Sequence, residues 1–324
     1  MIWLTWRQHR KQALYTVVGL AVLAALLVPT GLQMRSFASS SGLAACLRAA
    51  GTAQLVADSP HGCGRMQQAF TDRFGTFSVV AVLLLLLPLL IGLFFGAPVV
   101  AREVEQGTHR LVWTQGIDRR RWAAAKFGLL GGTAVLLAAV YALGVSWWIA
   151  PLASSGTGRM AYGYFDAQGV APIAYTLFAL ALGTFAGSVW PKVLPAMAAT
   201  LGGFVAVRVL VEVGLRPHYL AAKVLTYTVD SPVLANRSSG AWVLSEGVRN
   251  AAGKLVMGDG QIGCAGGPAD PGSLCAQAGP GAYNWELYQP ADRFWVFQGI
   301  ESGIFAALAV GLVYLTVRRL RRIA

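Results

Sequence analysis

The chain has 324 residues, 56% of them hydrophobic and only 12% charged, with a formal charge of +12 and a mean hydropathy of +0.55. Soluble globular proteins carry about a quarter charged residues, so this composition excludes an ordinary soluble enzyme and points to a chain that crosses a bilayer several times. The positive balance would suit nucleic acid only if the cations gathered on one soluble face; they flank apolar runs instead, and nucleic acid is not an expected partner.

The chain opens on "MIWLTWRQHRKQ". Trp3 and Trp6 followed by Arg7, His9, Arg10 and Lys11 suit the headgroup level of a membrane, which predicts an N-terminal interfacial helix. Six apolar runs of spanning length follow, at about 13–32, 77–100, 124–149, 173–190, 193–213 and 297–317. The first is too long for the apolar core of a signal peptide and is expected to stay as a membrane helix. The fourth has the weakest signal, being short and interrupted by Gly183 and Gly187. The whole of 1–324 reads as a single transmembrane domain, an all-α polytopic membrane protein with six transmembrane helices.

The connections alternate in character. The segment 33–76 is rich in Ser, Gly and Ala and reads as a loop. The large segment 214–296, between the fifth and sixth spans, is long enough for an ordered subdomain; "AWVLSEGVRNAAGKLVMGDG" within it suggests a hairpin, with strands near Trp242 and Leu255. The N-terminus, the connection after the second span, Lys192 and the C-terminus together hold 14 Lys/Arg against three acids; the remaining connections hold 11 against nine. The positive-inside rule then places both termini in the cytoplasm of a cell-membrane protein and 33–76 and 214–296 outside. The basic side borders anionic lipid, so membrane lipid is an expected partner.

All four cysteines fall in the two segments expected outside, Cys46 and Cys63 in one, Cys264 and Cys275 in the other. Oxidising compartments permit disulfides; Cys46–Cys63 and Cys264–Cys275 is the simplest of three possible pairings. Three small-xxx-small pairs, Gly92/Gly96, Gly183/Gly187 and Gly299/Gly303, permit close helix approach. Charges inside spans are costly, which singles out Arg208, Glu212 and Glu301. Arg208 lies 16 residues beyond Lys192, and Glu301 lies 17 before Arg318. Both stand about 25 Å from the basic side at the helical rise, so a pair is expected, as a structural bridge or the lining of a polar path.

The connection after the second span, "VVAREVEQGTHRLVWTQGIDRRRWAAAKF", has its own punctuation. Gly107 breaks the preceding helix, Thr108 is an N-cap, His109 to Gln115 makes two turns with Leu111, Val112 and Thr114, and Gly116 fits a C-cap. Asp118 can cap the third span, which begins with Arg119 and Arg120. The result is a short lateral cytoplasmic helix held between two spans, able to pass force from a partner to the membrane. No phosphate-binding loop accompanies it: "GVRNAAGKL" has wrong spacing and Leu255 where a hydroxyl is needed. Zinc-protease and serine-hydrolase signatures and metal-ligand histidine spacings are absent too, so neither catalytic residues nor a metal are expected.

That stretch resembles the cytoplasmic signature of type-2 ABC transporter permeases, at Glu103 or Glu105, Gly107, Thr108, Leu111, Thr114, Arg119, Arg120 and Lys126. "WLTWRQHR" and "YQPADRFWVFQGIESGIF" look like actinobacterial members, and the six-span plan with a large segment before the last span is similar as well. The resemblance implies a permease subunit of an exporter with no cofactor in this chain. It would dimerise with a second permease subunit, identical or different, and bind two copies of a separate ABC ATPase that carries ATP and Mg. The lateral helix, including Val112, would be the coupling helix. Alternatives are a non-transporting sensor or assembly subunit of the same fold and a membrane-embedded enzyme. The substrate is not written in the residues.

Overall fold

The computed structural model of the chain describes residues 2–50, 63–105, 119–155, 158–190, 192–230, 240–264 and 272–320. Six helical stretches among them are long and apolar enough to cross a membrane: Val17–Ser40, Phe77–Arg102, Gly131–Ser155, Ala171–Val189, Val193–His218 and Ala291–Arg319. Each overlaps one of the apolar runs, and the differences lie at the ends.

The first helix, α1 (Ile2–Ser40), joins the expected interfacial segment and the first span without interruption and continues eight residues past Leu32. Instead of a loop, 33–76 contains two more helices, α2 (Leu43–Ala50) and α3 (Cys63–Phe74). The reason is aromatic packing: Phe37 stands 6.2 and 5.6 Å from Phe70 and Phe74, and Phe74 stands 6.1 Å from Phe77. With buried Met34 and Leu43 these rings form a core against Trp148 and Ile149 of the third span. Small and polar residues around those rings gave the segment its loop-like composition.

The second span is built from pieces: α4 (Phe77–Leu84), α5 (Leu87–Ile91), a π-helical turn (Gly92–Gly96) and α6 (Ala97–Glu105). Pro88 has no N–H to offer the Leu84 carbonyl four residues back. The Tyr141 hydroxyl of the third span, α7 (Arg119–Ser155), donates to that carbonyl at 2.6 Å and satisfies it. After the short α8 (Tyr164–Ala167) comes the fourth span, α9 (Ala171–Val189). It had the weakest apolar signal, yet 67% of its apolar window is buried, against 17% for the first and fifth spans. It packs against the second, third, fifth and sixth spans, so small and hydroxylic residues serve it better than large apolar ones. A side chain at Gly183 would meet the Gly92 carbonyl oxygen at 2.5 Å, and one at Gly92 would meet the Ala179 carbonyl oxygen at 2.6 Å. Gly92/Gly96 and Gly183/Gly187 thus interlock across one contact. Gly299 and Gly303 have nothing within 4 Å of an added Cβ among the described residues, so that pair makes no such close approach there.

The fold is mostly helical but not all-α. After the fifth span, which starts with α10 (Val193–Val209), comes a four-stranded antiparallel sheet ordered β1–β4–β2–β3: β1 (Lys223–Thr228), β4 (Tyr283–Gln289), β2 (Trp242–Arg249) and β3 (Leu255–Gly258). The expected hairpin is its β2–β3 pair. Asn284 fastens the following segment by taking the Ile262 N–H and giving to the Ile262 carbonyl, both at 2.9 Å. Cys264 is bonded to Cys275 of α11 (Leu274–Ala278). A core of Met160, Phe165, Trp242, Phe294 and Phe297 seats the sheet on the ends of the spans, and α12 (Phe294–Leu320) completes the sixth.

Backbone contact at the crossing of the second and fourth spans sets the first expectation. Gly183→Val should lower the thermal midpoint of the purified full-length protein, because overpacking such a contact costs about 1–3 kcal/mol. Gly303→Val should leave it within error. The check is the loss of the monodisperse peak on heating in detergent, followed by size-exclusion chromatography.

Candidate functional site

The site lies where the sheet meets the spans. The fifth span does not end at 213 but runs on through a π-helical turn (Leu210–Leu215) and one 3-10 turn (Arg216–His218). Arg208, Glu212 and Arg216 therefore follow one another at intervals of four, close enough to neighbour on one helical face. The sixth span contributes Gln298 and Glu301, one turn apart. The fourth span contributes Tyr175, and α8 contributes Asp166.

Asp166 reaches the site because its approach is tightly folded. Gly169 has φ +69°, and any side chain there would collide with the Gln298 amide. Gln298 Oε1 accepts the Val170 and Ala171 N–H groups at 3.0 and 2.8 Å, which caps the otherwise open N-terminus of the fourth span. Its Nε2 donates to the Phe165 carbonyl at 2.8 Å. One fully buried glutamine of the sixth span thus locks α8 onto the start of the fourth.

Around this frame five charges converge. Arg216 Nε and Nη2 donate to the two oxygens of Glu301 at 2.8 and 2.7 Å, a bidentate pair. Arg216 Nη2 also bonds Asp166 Oδ1. Arg208 Nη1 stands 3.0 Å from Glu301 and Nη2 2.9 Å from Asp166. Tyr175 donates to Glu301, and its hydroxyl also stands 3.1 Å from Asp166; the Tyr219 hydroxyl is 3.3 Å from Glu301. The guanidinium of Arg208 lies 4.0 Å over the Tyr175 ring and that of Arg216 4.5 Å over Phe165, so the apolar walls also favour the cations. Asp166, Arg216 and Glu301 are essentially inaccessible to solvent. Glu212 differs: its side chain is 25% exposed and its contacts to Arg208 and Arg216 are long, 3.4 and 3.8 Å.

Three carboxylates face two guanidiniums, so the fully ionised cluster has one negative charge in excess, and Glu212 is where it meets the surroundings. Burial pushes the Asp166 carboxyl up, but Arg208 and Arg216 more than offset this and hold it below its ordinary value. The cluster can tie elements together and present a charge at Glu212. Among the described residues no three His, Cys, Asp or Glu side chains converge as metal ligands.

Arg208, Glu212 and Glu301 are thus brought together, while Asp166, Arg216, Tyr175 and Gln298 were not singled out from the sequence. Arg216 had a signal, its place eight residues after Arg208 on a helix that continues past the apolar run. Asp166 had none, since the glycine turns that bury it look like an ordinary connection. Of the other expected residues, Glu105 is exposed at the end of α6; Glu103 lies in α6 and Arg119 and Arg120 open α7. Gly107, Thr108, Leu111, Val112 and Thr114 lie outside the described residues. Cys46 is disulfide-bonded; the Cys63 side chain lies outside the described residues, as does the expected Cys46–Cys63 bridge.

Six spans around a buried ionic cluster, capped by a small sheet, define a multi-pass membrane protein. Its sequence places it further: residues 17–216 match the family described as ABC-2 membrane transporter related, and the chain belongs to that family. The match takes in five of the spans with Asp166, Arg208, Glu212 and Arg216; it ends before the sheet and the sixth span with Glu301. No curated protein and no solved structure matches the chain.

The cluster predicts an order of effects. Removing one partner of a buried ion pair costs about 3–5 kcal/mol, so Arg216→Gln and Glu301→Gln should greatly lower the thermal midpoint of the purified protein. Glu212→Gln, partly exposed and loosely held, should cost about 0–1 kcal/mol. Because the Asp166 carboxyl is held below its ordinary value, its contribution is present above the unfolded value of about 3.9 and is lost as pH falls through the lower folded one. Asp166→Asn should therefore reduce stability at pH 7 and narrow its gap to wild type in still stronger acid. Thermal unfolding across pH in one detergent checks both.

Proposed function

We propose that this chain is the membrane-spanning permease subunit of an ABC exporter, which couples ATP hydrolysis by a separate ATPase to the outward movement of a substrate. The family relation over five of the six spans carries this reading. The sequence between α6 and α7 supports it: two membrane helices end within reach of one another, and residues 106–118, with capping signals at Thr108 and Gly116, supply a segment able to seat in a partner. In this reading Leu111 and Val112 enter the groove of the ATPase, Arg119 and Arg120 pair with its acids or with lipid phosphate, and two ATPase copies serve a pair of permease subunits. ATP and Mg stay on the ATPase.

Both termini and residues 106–118 are then cytoplasmic, and the sheet lies outside. The distribution of basic residues supports this orientation, and so does the disulfide beside the sheet. The ionic cluster then sits at the outer end of the spans. It joins the third-to-fourth connection, the fifth span and the sixth span, so a pull on the second and third spans from below meets a braced outer end. Glu212, the partly exposed member, is where the cluster meets its surroundings.

Two measurements test this. A single cysteine introduced at Ser239 should react with an impermeant maleimide in intact cells; reaction only after permeabilisation overturns the orientation. Leu111→Asp combined with Val112→Asp should leave expression and folding unchanged but abolish co-purification with the ATPase and substrate-stimulated ATP hydrolysis, because carboxylates buried at that groove would lack partners. Wild-type association and stimulation in that double variant would contradict the coupling role.

A further inference from the structure

The fourth and sixth spans leave a groove between them in the half of the bundle that leads to the C-terminus. It encloses about 290 Å³. Its floor is Ala181, Thr184 and Ala309, all buried; Ala306, Val313 and, from the third span, Gly131 form its sides. The lining is apolar, since the one hydroxyl, that of Thr184, is spent on the Ala181 carbonyl at 2.9 Å. Small residues on both helices make the groove: Ala181 and Thr184 lie three apart on one, Ala306 and Ala309 three apart on the other, so their short side chains line up on facing surfaces.

Below the groove the C-terminal arginines come into play. Four residues beyond Thr184, about 6 Å along the helix, the Ser188 carbonyl accepts a hydrogen bond from Arg319 Nε at 3.0 Å. That bond holds the Arg319 guanidinium against the fourth span, about 9 Å along the helix beyond Val313. Arg318 beside it is exposed, as are Lys192 and Arg102 at the same end of the fold; Glu103 and Glu105 of α6 are acids at that end. An apolar groove with an anchored arginine beyond it, among exposed cations, has the charge complement of one kind of molecule.

We propose that this groove binds a single anionic phospholipid, with an acyl chain lying along Ala181, Thr184, Ala306 and Ala309 and the phosphate held by Arg318 and Arg319. The site is independent of the transport reading: it needs a bilayer, not an ATPase. Small side chains at these positions then have a reason beyond helix packing, and the C-terminal arginines have a specific role beyond fixing orientation. The lipid would brace the sixth span against the fourth at the end opposite the ionic cluster.

The test uses the full-length protein in phosphatidylcholine nanodiscs with a trace of phosphatidylglycerol carrying a photoreactive group midway along one acyl chain, and cross-linked peptides mapped by mass spectrometry. Cross-links should concentrate on residues 177–184 and 306–313. Unlabelled phosphatidylglycerol should suppress them and added phosphatidylcholine should not. Arg318→Gln with Arg319→Gln should cut this labelling about thirtyfold, as expected for two surface cations near an anionic headgroup. Ala306→Phe should remove it by filling the groove without altering charge, while Ala307→Phe, on the exposed side of the same helix, should leave it intact. Labelling spread evenly over the spans, equal competition by phosphatidylcholine, or unchanged labelling in either the double arginine variant or Ala306→Phe would overturn the proposal.

Discussion

The structure depends on keeping five charges inside a region where charge is expensive. A carboxylate or guanidinium taken out of water loses several kcal/mol of solvation, and only partners at hydrogen-bonding distance in more than one direction return it. Here Glu301 receives both Arg216 and Arg208, and Asp166 receives the same two. Neither arginine can be satisfied by one segment alone, so the third-to-fourth connection, the fifth span and the sixth span must meet at one point. The position of the sheet follows, because it grows directly out of the fifth span and leads directly into the sixth. Its attachment is reinforced where Gln289 donates to the Leu220 carbonyl at 2.7 Å and Arg293 to that of Ala221 at 2.7 Å.

The fourth span plays a complementary part. Bilayer lipid gives apolar helices no hydrophobic reason to associate, and close van der Waals contact takes over. Gly183 and Gly187 bring the fourth span against the second at backbone distance, and Phe178 packs on Phe204 and Phe305 at 5.9 and 5.2 Å. Ionic contacts fix the bundle at one end, and small-residue packing runs down its middle.

Much of this architecture was legible in the residues. Apolar length located all six spans, and the turn "NAAG" between two half-apolar stretches located the β2–β3 hairpin. The two-thirds burial of the fourth span explains why its signal was weak: a helix surrounded by protein need not look like one facing lipid. The helices of 33–76 were missed because four phenylalanines, not bulk hydrophobicity, hold them. Strands β1 and β4 were missed because the partners of β4 are separated from it by long stretches of chain, so no short turn marks either pairing. In the site, charge inside an apolar run was a reliable sign for Arg208, Glu212 and Glu301. Asp166 was hidden because its burial is produced by Gly169 and by Gln298, 132 residues away from Asp166 in the sequence.

A structure of the chain bound to its ATPase, captured with and without nucleotide in a lipid nanodisc, tests the account most directly. It predicts the ATPase on the face that carries both termini, with residues 106–118 seated in it. Between the two states the second and third spans should shift while Arg216 stays within hydrogen-bonding distance of Glu301 and Asp166. An ATPase that contacts the chain elsewhere, or a cluster that comes apart between the two states, would contradict it.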